Sequence, residues 1–186
     1  LTIEPNTAFY SSPPKLPVED TLATIQGEGE ALLHGSGFQQ YEVSAWARPG
    51  EASTHNMNYW TFGDYIGIGA GAHGKLTRPD GAILRTRRSR IPRDYMASIH
   101  NQTPPIAEHI PEQDVVVEFL LNTLRLQDGV PTSLLGRRTG RSFTEVKAVW
   151  STLVQRGLVT PGNQRLSTTP LGYRFLNDVI GAFLEG

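Results

Sequence analysis

A group of three prolines divides this 186-residue chain into two parts with different patterns. Pro104, Pro105 and Pro111 interrupt regular structure, because proline lacks a backbone N–H and restricts the residue before it. Before them, β-prone segments flank one helical segment. After them, the apolar residues follow mainly helical spacing. We therefore predict two domains, residues 1–110 and 111–186, each long enough to fold around a core.

The first part has the order strand, helix, strand. Leu1 to Glu4 is a short β-prone run, and Glu19 and Asp20 are acids that suit the start of a helix ending near residues 35–37. Apolar and polar residues then alternate from Tyr41 to Trp46, as in a strand. A connection of this length fits a right-handed crossover between parallel strands. The expected fold class is α/β, as part of a sheet or barrel.

Glycine occupies every second position in part of the segment 65–72. If this segment is a strand, Gly67, Gly69 and Gly71 form a face without side chains, against which another backbone or a ligand can pack. A strand lying tightly beneath a helix explains the pattern equally well. The segment also fits a loose dinucleotide fingerprint, but no helical pattern follows it, so a ligand cavity with His73 at its exit is preferred to a Rossmann turn.

The run His55-Asn56-Met57-Asn58-Tyr59-Trp60 combines an imidazole, a thioether and two aromatic rings within six residues. Imidazole and thioether both ligate heme iron, and flat aromatic rings can stack on a porphyrin. Heme contact is therefore a chemically sensible interpretation. The commoner alternative is a loop in which Tyr59 and Trp60 pack on the sheet while His55 makes a local hydrogen bond.

The stretch from Lys75 to Arg93 holds seven basic residues and one acid, around a Pro79-Asp80-Gly81 turn that suits a hairpin. Guanidinium groups bind planar oxyanions, so this basic hairpin could bind carboxylates such as porphyrin propionates, or phosphates. A solvated charged face is the more frequent alternative. Glu4, Glu42 and Asp64 lie near predicted strand ends, but no spacing joins them into an acid–base site.

The second part has the pattern of a winged-helix domain. Ser142 and Glu145 have capping-box spacing before an apolar helical stripe, and Gly157 suits the end of that helix. A strand, turn and strand follow over residues 158–167, and Thr169 begins a last helix. Eight basic residues against two acids between residues 125 and 174 would suit DNA binding, yet the candidate recognition helix has few base-reading side chains.

Composition excludes several classes of protein. The chain has no cysteine, which rules out a disulfide scaffold, a cysteine nucleophile and a thiolate-held iron–sulfur cluster within these residues. Its net charge of -1 does not indicate a nucleic-acid binder. No stretch approaches the roughly 20 apolar residues of a membrane helix, so we expect a soluble, cytoplasmic protein.

Several motifs together resemble one family, the oxygen-independent coproporphyrinogen III oxidases, and above all their HemW-like heme-chaperone branch within the radical-SAM superfamily. The resemblance covers nearly the whole chain, and the His-Asn-x-x-Tyr-Trp motif favours the chaperone branch. It rests on the following segments: Leu1 to Thr7, Pro14 to Pro17, Gln40 to Ser44, Ala47 to Gly50, His55 to Trp60, Gly63 to His73, and the weaker Leu124-Arg125-Leu126.

The resemblance implies a fold in two parts. Residues 1 to about 110 would be late strands and helices of an incomplete radical-SAM (β/α) barrel, followed by a small winged-helix-like α+β domain. The missing N-terminal half of the barrel would carry the Cys-x-x-x-Cys-x-x-Cys motif that holds a [4Fe-4S] cluster. We therefore expect a C-terminal fragment that is inactive toward S-adenosylmethionine by itself.

The resemblance also implies roles for particular residues. Thr2, Ala72 and His73 would lie near S-adenosylmethionine. His55 would be the heme-side residue and iron ligand. Tyr59 and Trp60 would be its stacking walls, and Gly67, Gly69 and Gly71 the bare face of the cavity. Two positions depart from the family pattern, since relatives commonly have cysteine in place of Ser53 and serine in place of Gly74.

The function expected is heme binding and delivery to heme-acceptor proteins. One alternative is oxidative decarboxylation of coproporphyrinogen III to protoporphyrinogen IX by the full-length enzyme. The other is a winged-helix DNA-binding module, although nucleic acid is the less expected partner. The first interpretation requires Thr2, His55 and the glycine segment to share one concavity.

Overall fold

The computed structural model describes residues 3–162 and 164–184. The chain forms two compact units, Leu1–Gln39 and Gln40–Gly186. The boundary predicted between residues 110 and 111 lies inside the second unit and stays a prediction. Of the predicted strand from Leu1 to Glu4, the first two residues lie outside the described part, and Ile3 and Glu4 have no regular secondary structure.

The first unit contains two helices. Helix α1 (Ala8–Ser11) is a single turn, and α2 (Glu19–Gly35) confirms the predicted helix with two acids in its first turn. No residue of α2 is buried. Leu22, Ile25 and Leu32, three apolar residues of this helix, are 46%, 56% and 72% exposed. Within its own unit, α2 therefore has an apolar stripe that is not covered.

A β hairpin lies at the start of the second unit. Strand β1 (Gln39–Glu42) pairs with β2 (Ala45–Ala47). The turn between them is closed by the Ser44 N–H, which donates to the Glu42 carboxylate at 2.8 Å. The prediction of one continuous strand from Tyr41 to Trp46 is wrong for this reason. The parallel crossover expected there does not form among the described residues.

A three-stranded antiparallel sheet follows, in the order β3, β4, β5. Strands β3 and β4 confirm the predicted basic hairpin, and Gly81 in its turn has a φ of +87°. One helix precedes the sheet and another connects β4 to β5. These elements are α3 (Thr54–Trp60), β3 (His73–Thr77), β4 (Ile83–Arg87), α4 (Pro92–His100) and β5 (Ile106–His109).

The glycine-rich segment is not a strand. Only Tyr65 pairs, in an isolated bridge with Lys75 of β3, and the chain then turns. Gly69 and Gly71 have φ values of +111° and +73°, which residues with a side chain rarely adopt. The glycines that alternate with other residues between positions 66 and 72 are therefore explained by turn geometry at Gly69 and Gly71 and by close packing at Gly67.

The rest of the second unit is mainly helical, with a small two-stranded sheet in which β6 and β7 pair antiparallel. The helices are short, and the last one predicted is divided at Phe175. The elements are α5 (Val115–Thr123), β6 (Val130–Pro131), α6 (Ser133–Thr139), α7 (Lys147–Gln155), β7 (Arg165–Leu166), α8 (Pro170–Arg174) and α9 (Leu176–Gly181).

Local signals in this region are confirmed. Ser142 and Glu145 form the predicted capping box, although a 3₁₀ turn intervenes before α7 begins. Gly157 follows α7 with a φ of +70°, as expected of a C-terminal glycine. Of the two strands predicted over residues 158–167, only Arg165–Leu166 forms, and it pairs with β6. Val159 makes an isolated bridge with Thr168, so the predicted strand at residue 158 is wrong.

One hydrophobic core joins the sheet region to the helical region. Phe62, which follows α3, packs edge-to-face on Phe119 of α5 with ring centroids 5.7 Å apart. Trp150 is buried, and its indole N–H donates to the Thr160 carbonyl at 2.8 Å. Ile83 of β4 belongs to the same cluster. Helix α3 is therefore positioned by the helical region as well as by its own neighbours.

Candidate functional site

Helix α3 contains the run from His55 to Trp60. The Ser53 hydroxyl caps it by accepting the Asn56 N–H at 3.3 Å, and the Asn56 side-chain amide donates to the Tyr41 hydroxyl at 3.0 Å. His55 lies in the first turn and is exposed. Its imidazole has no hydrogen-bond partner among the described residues, so the local bond of the packing interpretation does not form. The run is a helix with an accessible imidazole at its start.

The aromatic residues of α3 are partly buried and in contact. Tyr59 and Trp60 meet edge-to-face with centroids 4.7 Å apart, and Tyr59 also contacts Tyr65 at 5.0 Å. The Arg125 guanidinium lies 4.4 Å from the centre of the Trp60 ring. A cation on one face of Trp60 leaves less of that ring available as a stacking wall than the sequence suggests.

Arg125 joins α3 to the β1–β2 hairpin. Its Nη2 donates to the Glu42 carboxylate at 3.2 Å, and the Glu42 side chain is only 4% exposed. Backbone pairing supports this contact, because the Gln127 N–H donates to the Tyr41 carbonyl at 3.0 Å. Glu42 is thus a structural partner of a cation and not a free acid.

A second ion pair, between Lys75 and Asp64, lies at the start of the glycine segment. Lys75 has 2% of its side chain exposed, lies 4.3 Å from the centre of the Phe62 ring, and donates to Asp64 at 2.7 Å. The Thr77 N–H and hydroxyl also donate to Asp64, each at 2.8 Å. Burial opposes the charged form of Asp64, but Lys75 and Thr77 outweigh it and hold the pKa of Asp64 below its ordinary value. Burial lowers the pKa of Lys75 despite the pair.

The glycine segment packs closely on β3. A Cβ on Gly67 would lie 2.2 Å from the His73 carbonyl oxygen, so a backbone does pack against this glycine, as predicted. Gly71 lies against the side chain of Arg90, whereas Gly69 borders open space. The Gly69 N–H donates to the Tyr95 hydroxyl at 3.2 Å, which ties the turn to α4. The role of Gly67, Gly69 and Gly71 as the face of a cavity stays a prediction.

Two neighbouring clefts share His73 and Arg87. The smaller, of about 310 Å³, lies beside α3 and β4, and Tyr59 and Tyr65 form one wall. Burial and the neighbouring Tyr59 raise the pKa of Tyr65 to about 12. The larger, of about 600 Å³, lies between the end of β4, α4 and the start of β5. Tyr59 and His73 therefore share the smaller cleft.

Not every predicted site residue joins this arrangement. His55 lines neither cleft, although it lies one helical turn before Tyr59. Ala72 lies beside β4, where its carbonyl accepts the Arg88 N–H at 2.9 Å. Thr2 lies outside the described residues, so a concavity shared by Thr2, His55 and the glycines stays a prediction.

Sequence patterns do not identify Arg125, Lys75 and Tyr65 as members of the site. Arg125 and Glu42 are 83 positions apart, so no local spacing could connect them. Lys75 gave no signal, since it is buried while the apolar Leu76 beside it is exposed. A weak signal existed for Arg125, because it is a cation between two leucines that both become buried.

Residues 110–175 match the HemN C-terminal domain. Over 99% of the chain, 42% of residues are identical to "Heme chaperone HemW" of Escherichia coli (strain K12), and the aligned part is 48% of that protein. For the protein of the same name in Haemophilus influenzae the identity is 40%, covering 99% of the chain and 47% of the relative. The chain thus spans about half the length of the curated relatives it matches.

Two further comparisons agree with these. A mouse protein, "Radical S-adenosyl methionine domain-containing protein 1, mitochondrial", is 43% identical over 49% of the chain and 21% of its own length. The solved structure of coproporphyrinogen III oxidase (HemN) from Escherichia coli, titled a radical SAM enzyme, superposes with a TM-score of 0.65. It covers 90% of the chain and 42% of that protein at 16% identity, which shows a shared fold.

Within residues 3–162 and 164–184, no three histidine, aspartate or glutamate side chains come together as a metal site. No helix in the part of the chain that is described has the length and apolar character needed to cross a bilayer.

Proposed function

Because this chain is HemW-like over nearly all of its length and carries a HemN C-terminal domain, we propose that it works in a heme chaperone that binds heme and passes it to acceptor proteins. Heme is the cargo, and helix α3 is the element that contacts it. One observation carries the proposal. His55 is an exposed imidazole without a hydrogen-bond partner among the described residues, on a helix whose Tyr59 lines a cleft.

The chemistry of α3 suits this cargo. A neutral imidazole is a good ligand for heme iron, and an exposed one needs no rearrangement to reach it. Tyr59 lies one turn further along, where an aromatic ring can contact the edge of a porphyrin. A cargo site should also release what it binds, and a single exposed ligand on a seven-residue helix suits reversible binding better than a closed pocket does.

The contacts of Trp60 give it a positioning role. It contacts both Tyr59 and the Arg125 guanidinium, and Arg125 is itself held by Glu42. These contacts link α3 to the HemN C-terminal domain, which contains Arg125. We propose that this domain acts as a support that fixes the orientation of α3, and not as a DNA-binding module.

The finer features of the fold belong to the same proposal. Residues 1–110 would be part of a radical-SAM barrel, and residues 111–186 a winged-helix-like cover. Thr2, Ala72 and His73 would lie near S-adenosylmethionine. Because this sequence contains no cysteine, the thiolates of a [4Fe-4S] cluster would come from outside these 186 residues.

The test is a heme titration of the purified protein, followed by absorption spectroscopy, with His55→Ala as the variant. His100→Ala is the matched control, because His100 is also exposed on a helix of the same unit. We expect the Soret band of bound heme to be lost or shifted in His55→Ala and unchanged in the control. Equal spectra and affinities for all three proteins would contradict the proposal.

A second assay separates cargo handling from catalysis. The full-length protein, with its cluster and S-adenosylmethionine, is tested for conversion of coproporphyrinogen III to protoporphyrinogen IX and for heme transfer to an apoprotein. We expect transfer without decarboxylation. Decarboxylation that is unaffected by His55→Ala would overturn the assignment of His55 and favour the oxidase alternative.

A further inference from the structure

The larger cleft has an unusual charge balance. It lies between the end of β4, the start of α4 and the loop before β5, and Arg87, Arg88 and Arg90 contribute to its lining. His73 lies at its border with the smaller cleft. No aspartate or glutamate is among its lining residues. A concave surface that gathers cations without acids is built for a negatively charged group.

The arginines of the basic hairpin differ in whether they are already neutralised. Arg85 pairs with Glu118, Arg87 with Glu108, and Arg93 with Asp94. Arg88 and Arg90, by contrast, have no carboxylate partner within the described part of the chain. They are therefore the two arginines of this hairpin whose charge is available to a ligand.

Both arginines are placed by their surroundings. Arg88 is half-buried, and its Nη1 donates to the Thr103 carbonyl at 3.3 Å while its backbone N–H donates to the Ala72 carbonyl. The stem of Arg90 lies over Gly71, with Cγ 3.6 Å from where a Cβ of that glycine would be. A Cβ at residue 71 would make ordinary van der Waals contact with Arg90, and the glycine is favoured there by its φ of +73°.

Apolar residues also line the cleft. They are Pro104 and Pro105 with Ile91 and Ile106, and these two isoleucines are 56% and 52% exposed. Exposed aliphatic side chains in the same cleft as two guanidinium groups without carboxylate partners fit a ligand with an apolar body and acidic substituents. A volume of about 600 Å³ is within the range of small-molecule sites.

We propose that this cleft, the Arg88–Arg90 pocket, binds the carboxylates of a planar organic acid. The assignment of that acid as a porphyrin, held by its two propionates, rests on the proposed function. The cleft adjoins the one lined by Tyr59, so a macrocycle beside α3 has its acidic edge next to two free arginines. Guanidinium–carboxylate pairs would fix the orientation of the ring.

The experiment uses iron-free protoporphyrin IX, which removes the contribution of any iron ligand, and its dimethyl ester, which lacks the two negative charges. Binding is measured by fluorescence for the protein, for Arg88→Gln/Arg90→Gln, and for Arg93→Gln as the control. Arg93 belongs to the same basic stretch, is 89% exposed and already has a carboxylate partner. Thermal unfolding of each variant checks that it is folded.

We expect the protein to bind the diacid at least tenfold more tightly than the ester, and the double variant to lose about tenfold or more for the diacid alone. Arg93→Gln should stay within twofold. Equal binding of the diacid and the ester by the unmodified protein would overturn the proposed pocket, and this comparison needs no variant. If hemin binding still depends on His55 in that case, the proposed function stands; if neither hemin nor protoporphyrin binds, the proposed function itself fails.

Discussion

Replacing Arg125 by methionine tests whether residues 110–175, the region that matches the HemN C-terminal domain, support α3. The change keeps an apolar stem but removes the charge that contacts both Glu42 and Trp60. The Glu42 carboxylate, 4% exposed, would keep only the Ser44 N–H as a donor among the described residues. A buried carboxylate without its cation is costly, and the cost appears as a loss of stability.

The size of the effect follows from the contacts. Breaking a buried ion pair costs about 3–5 kcal/mol, and partial solvent screening of Arg125, whose side chain is 29% exposed, lowers this to about 2–3 kcal/mol. Loss of the contact to Trp60 adds about 1 kcal/mol. The buried Arg125 Nε has no hydrogen-bond partner, so its removal is favourable by about 1 kcal/mol and offsets the lost contact to Trp60. The net expectation is a loss of about 2–3 kcal/mol.

Urea unfolding followed by tryptophan fluorescence measures this loss, and Trp60 itself reports on the changed contact. The double variant Glu42→Gln/Arg125→Met should lose clearly less stability than the sum of the two single changes, because it leaves no buried charge without a partner. Arg93→Met, at an exposed pair, is the control and should change stability by less than about 0.5 kcal/mol. Strict additivity, or a loss for Arg125→Met as small as the control, would refute the reasoning.

Three further expectations concern the surroundings of the site. Because the folded pKa of Asp64 lies below its ordinary value of 3.8, its contribution to stability is complete above that pH and is lost as the pH falls through the folded pKa. Asp64→Asn should therefore flatten the acid limb of a stability–pH profile, and an unchanged acid limb would contradict this. Gly67→Ala places a Cβ against the His73 carbonyl and should cost about 1–3 kcal/mol in urea unfolding, whereas an unchanged midpoint would show that the segment moves freely. Gly27→Ala, in the exposed α2 with nothing within 4 Å of the new Cβ, should stabilise that helix by about 0.5–1 kcal/mol and raise its circular dichroism at 222 nm; a decrease would contradict its exposed position.

Local sequence signals predicted the local structure well. The acids at Glu19 and Asp20, the Ser142–Glu145 capping box and Gly157 each act within one helical turn, so their effect does not depend on the rest of the fold. The same is true of the turn that joins β3 and β4. These signals gave correct helix and hairpin positions.

The errors arose where the structure depends on distant contacts. The alternation of glycines predicted a strand, but positive φ values at Gly69 and Gly71 and the close contact of Gly67 with β3 make the segment a turn. The strand expected from Tyr41 is divided by a turn that the Glu42 carboxylate closes. Such contacts follow from the folded backbone and leave no periodic signal.

The candidate site was predicted in part. The run from His55 to Trp60 and its neighbour His73 were identified from residue type and resemblance. The sequence could not show which arginines remain unpaired. Arg87 and Arg88 are adjacent, and only the fold places Glu108 beside Arg87. The sequence therefore predicts the chemistry of the site better than its charge balance.

Chemical rescue at position 55 tests the central claim most directly. In His55→Gly, heme is added and its absorption and electron paramagnetic resonance spectra are recorded with and without free imidazole. If the His55 imidazole binds the iron, the variant should lose the spectrum of the unmodified protein, and millimolar imidazole should restore it. A variant whose spectrum already equals that of the unmodified protein before imidazole is added would show that another group holds the iron.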